Sequence, residues 1–585
     1  MCTTVIVGKN VSKTGRVIVG HNEDQGGRSL HQQFFVPAAH HTEDEWVTGE
    51  PTAARIPQVP QTLAYYWSNM LMPTPGSSFD QGFFNETGVA ICSNGGGSSY
   101  SATLSPEALE LQDGGIGFLL RRLVAERAKN AREAVQIAVE LIEQYGYRGD
   151  ARNYTFADAN EAWMLNVVKG CHYVAKRIPD DAVMLISNSL AIRHVDLSDT
   201  ENVIASPDLI SFAIESGHYQ PHEAGHYEDF DFAHAYQDDF NRTDPMRSDR
   251  MRIGWKAITG VEYTDPLHYP EILAPQSPMG IEDVRAVLRL TNPDTYAERG
   301  DGKADAFHVS ARDISRSHTR ESWVVEFMPN PVFHTLWRCT GPQDTGVYLP
   351  WFPLCGAIPD GYQWTSIEAS RAEQFQARPE WLTLDFSRHY WTYAVVSELV
   401  NFNRGLFAGV FPVREALEAG AAQCVQRVRE ELNQQPYDVI QARLAQLQTD
   451  CTQKAIGQYR ALLSALNRIE ADVLTPSVTP DTPTIDIALY PSAGFDPEQV
   501  DVSSLRWSLG FTGAKPSALN PIAPIAASIK TLQGRSALVL TFCASSLLEH
   551  VMSGLTVDTY LRGLARHQRF VAMIPLTIGQ SSTVA

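Results

Sequence analysis

Residue 2 is a cysteine, and it opens the β-branched run Cys2-Thr3-Thr4-Val5-Ile6-Val7-Gly8. Once the bond ahead of it is cut, this one residue carries both a thiol nucleophile and a free α-amine. Their reference pKa values, about 8.5 and about 7.7–8.0, are close enough for a proton to pass between them at little cost near neutral pH. A nucleophile needs a neighbouring base, and here the base is the residue's own amino terminus. The chemistry this suits is attack on a carbonyl, with the amine carrying the proton to the leaving group. Only Met1 stands ahead of Cys2, so methionine aminopeptidase suffices and no long pro-segment is implied. Taken alone, Cys2 reads equally as a small buried strand residue.

Other chemistry-bearing patterns are weaker. His218, His222 and His226 recur every four residues, followed by His234. On a continuous helix the first three would share a face and could bind a metal, but Gly217, Pro221 and Gly225 break such a helix. Gly510-Phe511-Thr512-Gly513-Ala514-Lys515-Pro516-Ser517 echoes a phosphate loop with the wrong spacing and an intervening proline. The eight cysteines are scattered, and none forms a C-x-x-C pair, which suits neither a disulfide framework nor a zinc site. No metal and no cofactor is expected.

The elements around Cys2 read as short strands at 2–8 and 16–20, joined by a turn and ending at His21-Asn22-Glu23-Asp24. A further strand spans 83–93 and runs into Asn94 and Gly95-Gly96-Gly97. Helices follow, one capped by Ser105-Pro106-Glu107, one through Phe118–Val124, and one through Ala134–Ile142 with Gly146 past its end. Strands return near 153–158, 162–168, 172–177 and 183–187, which implies a layered α+β or α/β domain. Residues 412–474 read as a helical hairpin broken at Gln434-Gln435-Pro436. Residues 475–484 hold three prolines and read as a linker, and 485–585 as a small β-rich domain. The expected division is therefore 1–411, 412–474, 475–484 and 485–585.

The 585 residues carry 47 Lys and Arg against 67 Asp and Glu, a net charge of −20 with no basic run. Nucleic acid and anionic membranes, which require clustered cations, are not expected partners. No apolar run approaches the ~18–20 residues of a membrane span, and no signal peptide is read. The expected location is the cytoplasm.

Cys2-Thr3-Thr4 with Gly20-His21-Asn22-Glu23-Asp24 resembles the opening of the cysteine dipeptidases, N-terminal-nucleophile hydrolases related to secernins and to choloylglycine hydrolase and penicillin V acylase. Segments at 119–128, Phe230-Asp231-Phe232-Ala233-His234-Ala235-Tyr236, Leu336-Trp337-Arg338-Cys339, Tyr348–Pro353 and Tyr390-Trp391-Thr392-Tyr393 extend the likeness over roughly 2–475. The resemblance implies a four-layer α-β-β-α sandwich and hydrolysis of dipeptides through an acyl-thioester on Cys2. It implies that Asp24 holds the α-ammonium, that Asn94 donates to the oxyanion, and that Asn188 binds near the amine and substrate. Arg250 matches the family's last arginine, with Arg252 a close rival.

His21 stands where many relatives carry arginine. A histidine with a reference pKa of about 6.5 is only partly charged at neutral pH, so activity is expected to fall more steeply above pH 7. Alternatives are an N-acyl amidase of the same mechanism and a secernin-like binding protein without catalysis. The tail, through Val502–Trp507 and Thr559–Gly563, resembles small β-sandwich modules, with assembly or binding as its expected role; a homo-oligomer is left open.

Overall fold

In the computed structural model the described residues are 2–25, 29–71, 79–99, 111–292, 312–373, 383–402, 407–466, 469–491, 495–509, 521–548 and most of 553–580. The chain divides into two compact units. The first comprises Met1–Thr295, Ser310–Trp391 and Ala416–Ala455; the second comprises Tyr296–Val309, Thr392–Glu415 and Ile456–Ala585. The expected cap at Ser105-Pro106-Glu107 and the phosphate-loop echo at 510–517 lie outside the described residues.

Unit 1 is built on two antiparallel sheets. The first has seven strands, in the order Ile272–Leu273, Val183–Ile186, β1 (Cys2–Val7), β2 (Ile18–Asp24), Thr319–Glu326, Thr335–Thr340 and Tyr348–Trp351. The second has eight, in the order Val203–Ala205, Tyr173–Arg177, Ala162–Gly170, Tyr147–Ala157, Ala90–Gly96, Phe79–Asn85, Tyr65–Leu71 and Leu30–Val36. β1 is buried along its whole length. That suits a run of β-branched residues covered on both faces.

Side chains alternate across a strand, and the cores show which way each points. Ile6 and Val19 of the first sheet share a core with Phe84, Cys92 and Met164 of the second. Val5, Val7 and Ile18 face the other way, into a core with Ile253, Trp255, Val284 and Leu288 of two helices, Pro245–Thr259 and Ile281–Leu288. The outer face of the second sheet packs on α1 (Leu119–Arg127) and α2 (Ala131–Tyr145) through Leu120, Leu123, Val135 and Ile142. Asn130 caps α2, and Gly146 ends it at a φ of 73°, as the sequence suggested. Gly20 has a packing reason: a Cβ there would lie 2.4 Å from a Val284 methyl.

The structure corrects several sequence expectations. The strand read at 83–93 is two strands with a turn between them, in which the Asn85 side chain accepts from Val89 N at 2.9 Å and Gly88 takes a φ of 89°. The turn is made by the polar stretch Asn85-Glu86-Thr87-Gly88, which interrupts the apolar residues on either side. The strand read at 16–20 is β2, starting at Ile18 and continuing through the polar residues to Asp24. The boundary at 411/412 falls inside the helix Phe407–Leu432. Ala421, Val425, Ile440 and Leu444 of the helical hairpin join the core that holds Val5 and Val7, so its middle is part of unit 1. The break itself falls as expected, before the helix Tyr437–Leu466.

In unit 2, a four-stranded and a three-stranded sheet share one core, including Ile487, Leu540, Trp507 and Ile574. The proline-rich stretch 475–484 belongs to that core: Val478 is buried and its carbonyl accepts from Gly579 N at 2.7 Å. One apolar residue among prolines and threonines anchors a segment that reads as a spacer. No described helix is long and apolar enough to cross a membrane.

Candidate active site

β1 and β2 pair with Cys2 opposite Glu23 and Thr4 opposite His21. Cross-strand partners project to the same side, so these four side chains stand together between the two sheets. The Cys2 thiol donates to Glu23 Oε1 at 3.1 Å, and Glu23 Oε2 lies 3.1 Å from His21 Nε2. His21 Nδ1 lies 2.8 Å from Thr4 Oγ1, and Thr4 in turn donates to Asn94 Oδ1 at 2.7 Å. With the Thr4 hydroxyl given to Asn94, Nδ1 is left to donate to Thr4, and Nε2 faces the Glu23 carboxylate; this arrangement favours the imidazolium form of His21.

The electrostatics agree. Burial opposes charge on His21, yet the adjoining Cys92 and Glu23 side chains outweigh it and lift its pKa well above the usual 6.5. Burial would likewise raise Glu23, but the bond and charge of His21 hold its carboxyl below the usual range. Burial, then Glu23, pushes the Cys2 thiol up. The partly charged His21 expected from sequence is therefore corrected: its Cys92 and Glu23 neighbours favour the cation. With a folded pKa above the unfolded one, the ion pair stabilises fully below about pH 6.5 and is lost only as pH rises through the raised value. In an NMR titration the His21 Cε1–H is expected to hold its imidazolium shift from about pH 6 to 8; a midpoint near the unperturbed ~6.5 would refute this.

The opposite face of the same strand pair carries a second network. Arg250, on the helix Pro245–Thr259, is fully buried. Its Nη1 donates to Cys2 O at 2.7 Å and Thr3 Oγ1 at 3.0 Å, and its Nη2 to Asn188 Oδ1 at 2.9 Å and Ser187 O at 3.3 Å. Burial, then Arg316, lowers its pKa to about 9, which leaves it charged at neutral pH. Asn188 Oδ1 also accepts from the Cys2 backbone N at 2.6 Å, while its Nδ2 donates to Gly95 O at 2.9 Å. Asn188 takes a φ of 64°, a left-handed conformation that asparagine tolerates better than most residues. Asp24 accepts from Thr319 Oγ1 at 2.6 Å and faces Arg316 Nη1 at 3.5 Å, and its charge acts on both Cys2 and Arg250.

A ladder of asparagines holds the Asn188 loop. Asn94, Asn153 and Asn166 are consecutive register partners across three strands of the second sheet, all fully buried. Asn166 Oδ1 accepts from Ala191 N at 2.9 Å and Ile192 N at 2.8 Å, and its Nδ2 donates to Asn153 Oδ1 at 2.7 Å. Asn153 Nδ2 donates to Ser189 O at 3.0 Å. Side-chain amides thus take the place of a sheet partner for residues 189–192. Asn166→Leu, which strands the Ile192 N–H and leaves Ala191 N only Asn153 Oδ1, is expected to lower stability by about 1–3 kcal/mol and kcat by about 10²-fold. Urea unfolding and steady-state kinetics would check both.

Cys2, His21, Asn94, Asn188 and Arg250 are therefore brought together, and Asp24 adjoins them from the Arg250 side. Arg252 is not: it pairs with Glu262 and Asp249. Residues 218–226 form no helix, and His222 stands exposed. Among the described residues, the one group of three metal-ligating side chains is Cys2, His21 and Glu23, with ligand atoms within 4.8 Å of one another. In its imidazolium form His21 carries a proton on both nitrogens, so a cation would first have to displace protons. Sequence reasoning missed Glu23, Thr4, Asn153 and Asn166. Glu23 had an available signal, because period-two alternation puts it on the same side of β2 as His21.

Asn94 Nδ2 is buried and makes no hydrogen bond to any described residue. An unspent donor, a thiol and a held backbone nitrogen lie around the start of β1, an arrangement that suits the nucleophile site of a cysteine-type hydrolase. The family model described as peptidase family C69 matches residues 1–408, and the chain belongs to that family. It is 25% identical over 418 residues to a probable dipeptidase of Latilactobacillus sakei, spanning 69% of this chain and 82% of that protein. It is 25% identical over 358 residues to a probable dipeptidase of Salmonella dublin, spanning 60% and 80%. It is 24% identical over 534 residues to a dipeptidase of Bifidobacterium longum (strain NCC 2705), spanning 83% and 90%. Among solved structures, a C2A mutant of the conjugated bile acid hydrolase of Clostridium perfringens matches 35% of this chain and 64% of its own at 12% identity. Its TM-score of 0.21 is too low to bear on the fold.

Proposed function

We propose that this protein hydrolyses the amide bond of dipeptides, using Cys2 as the amino-terminal residue. The observation that carries the reading is the arrangement around Cys2: its nitrogen is held 2.6 Å from Asn188 Oδ1, and Thr4, on the same face of β1 as the thiol, donates to Asn94 Oδ1 at 2.7 Å. Family membership and the dipeptidase relatives support the substrate class.

In the reaction, the α-amine of Cys2 takes the thiol proton and the sulfur attacks the scissile carbonyl. Asn94 Nδ2 donates to the oxyanion. The C–N bond breaks, the proton passes from the α-ammonium to the leaving amine, and a thioester remains. Water then attacks the thioester, the C–S bond breaks, and the thiol regains its proton. Asn188 orients the amine, Arg250 fixes the Cys2 carbonyl and the Asn188 side chain together, and Asp24 balances the cationic charge beside them. The three cores of unit 1 accord with the four-layer α-β-β-α arrangement.

A panel of dipeptides and N-acyl amides assayed with the wild type tests the substrate class. Turnover of acyl amides alone would overturn it. Asn94→Ala is expected to lower kcat by about 10²–10³-fold with little change in KM, the measured range for losing one oxyanion donor.

A further inference from the structure

Glu23 is a buried carboxylate within hydrogen-bond distance of the nucleophilic sulfur, and the hydrolytic steps above make no use of it. Its Oε1 meets the thiol at 3.1 Å and its Oε2 is committed to His21. The other acids nearby are differently placed. Glu321 is the register partner of Glu23 on the next strand, but it is paired with Arg338 and accepts from Ser68 Oγ at 2.6 Å. Asp24 projects to the other face of β2, towards Arg316 and Thr319.

In a dipeptide the free α-ammonium sits two bonds from the scissile carbonyl carbon, about 2.5 Å away. A sulfur poised to attack that carbon lies about 3–3.5 Å from it. The ammonium must therefore fall within a few ångströms of the sulfur, where Glu23 Oε1 is found. We infer that Glu23 receives the free α-ammonium of the substrate and makes the enzyme selective for unblocked amino termini. This rests on the dipeptide reading above and narrows it.

The charge balance gives the selectivity a route into catalysis. When Cys2 loses its proton, the thiolate and the Glu23 carboxylate are like charges in a dry site. His21 is bonded to Oε2, and the α-ammonium formed on Cys2 is held at Asn188, so neither cation lies between the sulfur and Oε1. A substrate ammonium bound there places a positive charge between the two anions and replaces the thiol proton that Oε1 loses. An N-acyl substrate brings a neutral amide N–H to the same place and leaves the repulsion standing. Glu23 thus favours the thiolate only when a free amine is present.

The test compares dipeptides with their N-acetylated forms. The wild type is expected to prefer the free dipeptide by about 100-fold in kcat/KM, the scale of one buried charge-assisted hydrogen bond. In Glu23→Gln that ratio is expected to collapse towards unity. A wild-type ratio near one, or a Glu23→Gln variant slower on both substrates with the ratio intact, overturns the inference. Because Glu23→Gln also removes the partner of His21, a second measurement uses Cys2→Ala alone. By calorimetry it is expected to bind the free dipeptide about 100-fold more tightly than the N-acetyl form, and equal affinities overturn the inference. Cys2-dependent turnover without selectivity sinks this inference only. Turnover that survives Cys2→Ala sinks the thiol reading and this inference together.

Discussion

Cys2→Ala is expected to abolish dipeptide turnover, by about 10⁴-fold or more, while leaving the fold intact. Losses of that order follow when the nucleophile of an acyl-transfer enzyme is removed. The fold should survive because the thiol's hydrogen bond is to Glu23, which keeps its charge-assisted bond to His21. Chain that keeps the peptide bond ahead of Cys2 is expected to be equally inert. An acylated nitrogen is no base, although it still donates to Asn188 as the backbone N–H does here. Intact-mass measurement on the assayed sample, beside single-turnover rates, separates the two forms. Undiminished activity in mass-verified uncleaved chain would require a different base.

Arg250→Ala is expected to cost about 3–5 kcal/mol of stability and all measurable activity. The guanidinium donates to the carbonyls of Cys2, Ser187 and Met246 and to two side chains, in a place closed to water. Removing it leaves buried acceptors unpaired and a cavity beside Thr3, and losses of this size follow such breaks. Trp255, buried on the same helix, offers a fluorescence signal for urea unfolding. Arg250→Lys is expected to recover part of the stability and little of the rate. A single ammonium cannot span Cys2 O and Asn188 Oδ1 as the planar fork does. Recovery of full activity in the lysine variant would mean that charge alone matters.

What could be read in advance follows the range of the interactions. β1 and β2 were legible because β-branched residues in a short run admit few alternatives. Cys2 came from its place behind Met1, and Asn94, Asn188 and Arg250 from resemblance; all four stand within one hydrogen-bonded neighbourhood. The charge of His21 was misread because Glu23, two residues away on the same strand face, was overlooked, and because Thr4 becomes a neighbour only through strand pairing. Asn153 follows Arg152 in a polar half-strand and Asn166 stands alone in an apolar one, and only the register reveals a ladder. The stretch 475–484 was misread because composition weighs three prolines and cannot weigh the one contact of Val478.

The strand pair β1–β2 has reactive residues on one face and scaffold on the other, so neighbouring positions answer to different selective pressures. Cys2, Thr4, His21 and Glu23 answer to chemistry; Thr3, Val5, Gly20 and Asn22 answer to the helices behind them. A substitution map of these strands would carry a two-residue beat, with lost catalysis and lost folding alternating along the chain. It also makes the length of each strand inviolable. Inserting one residue between Val5 and Cys2 would turn the thiol towards Arg250 and bury a scaffold side chain where the substrate must lie.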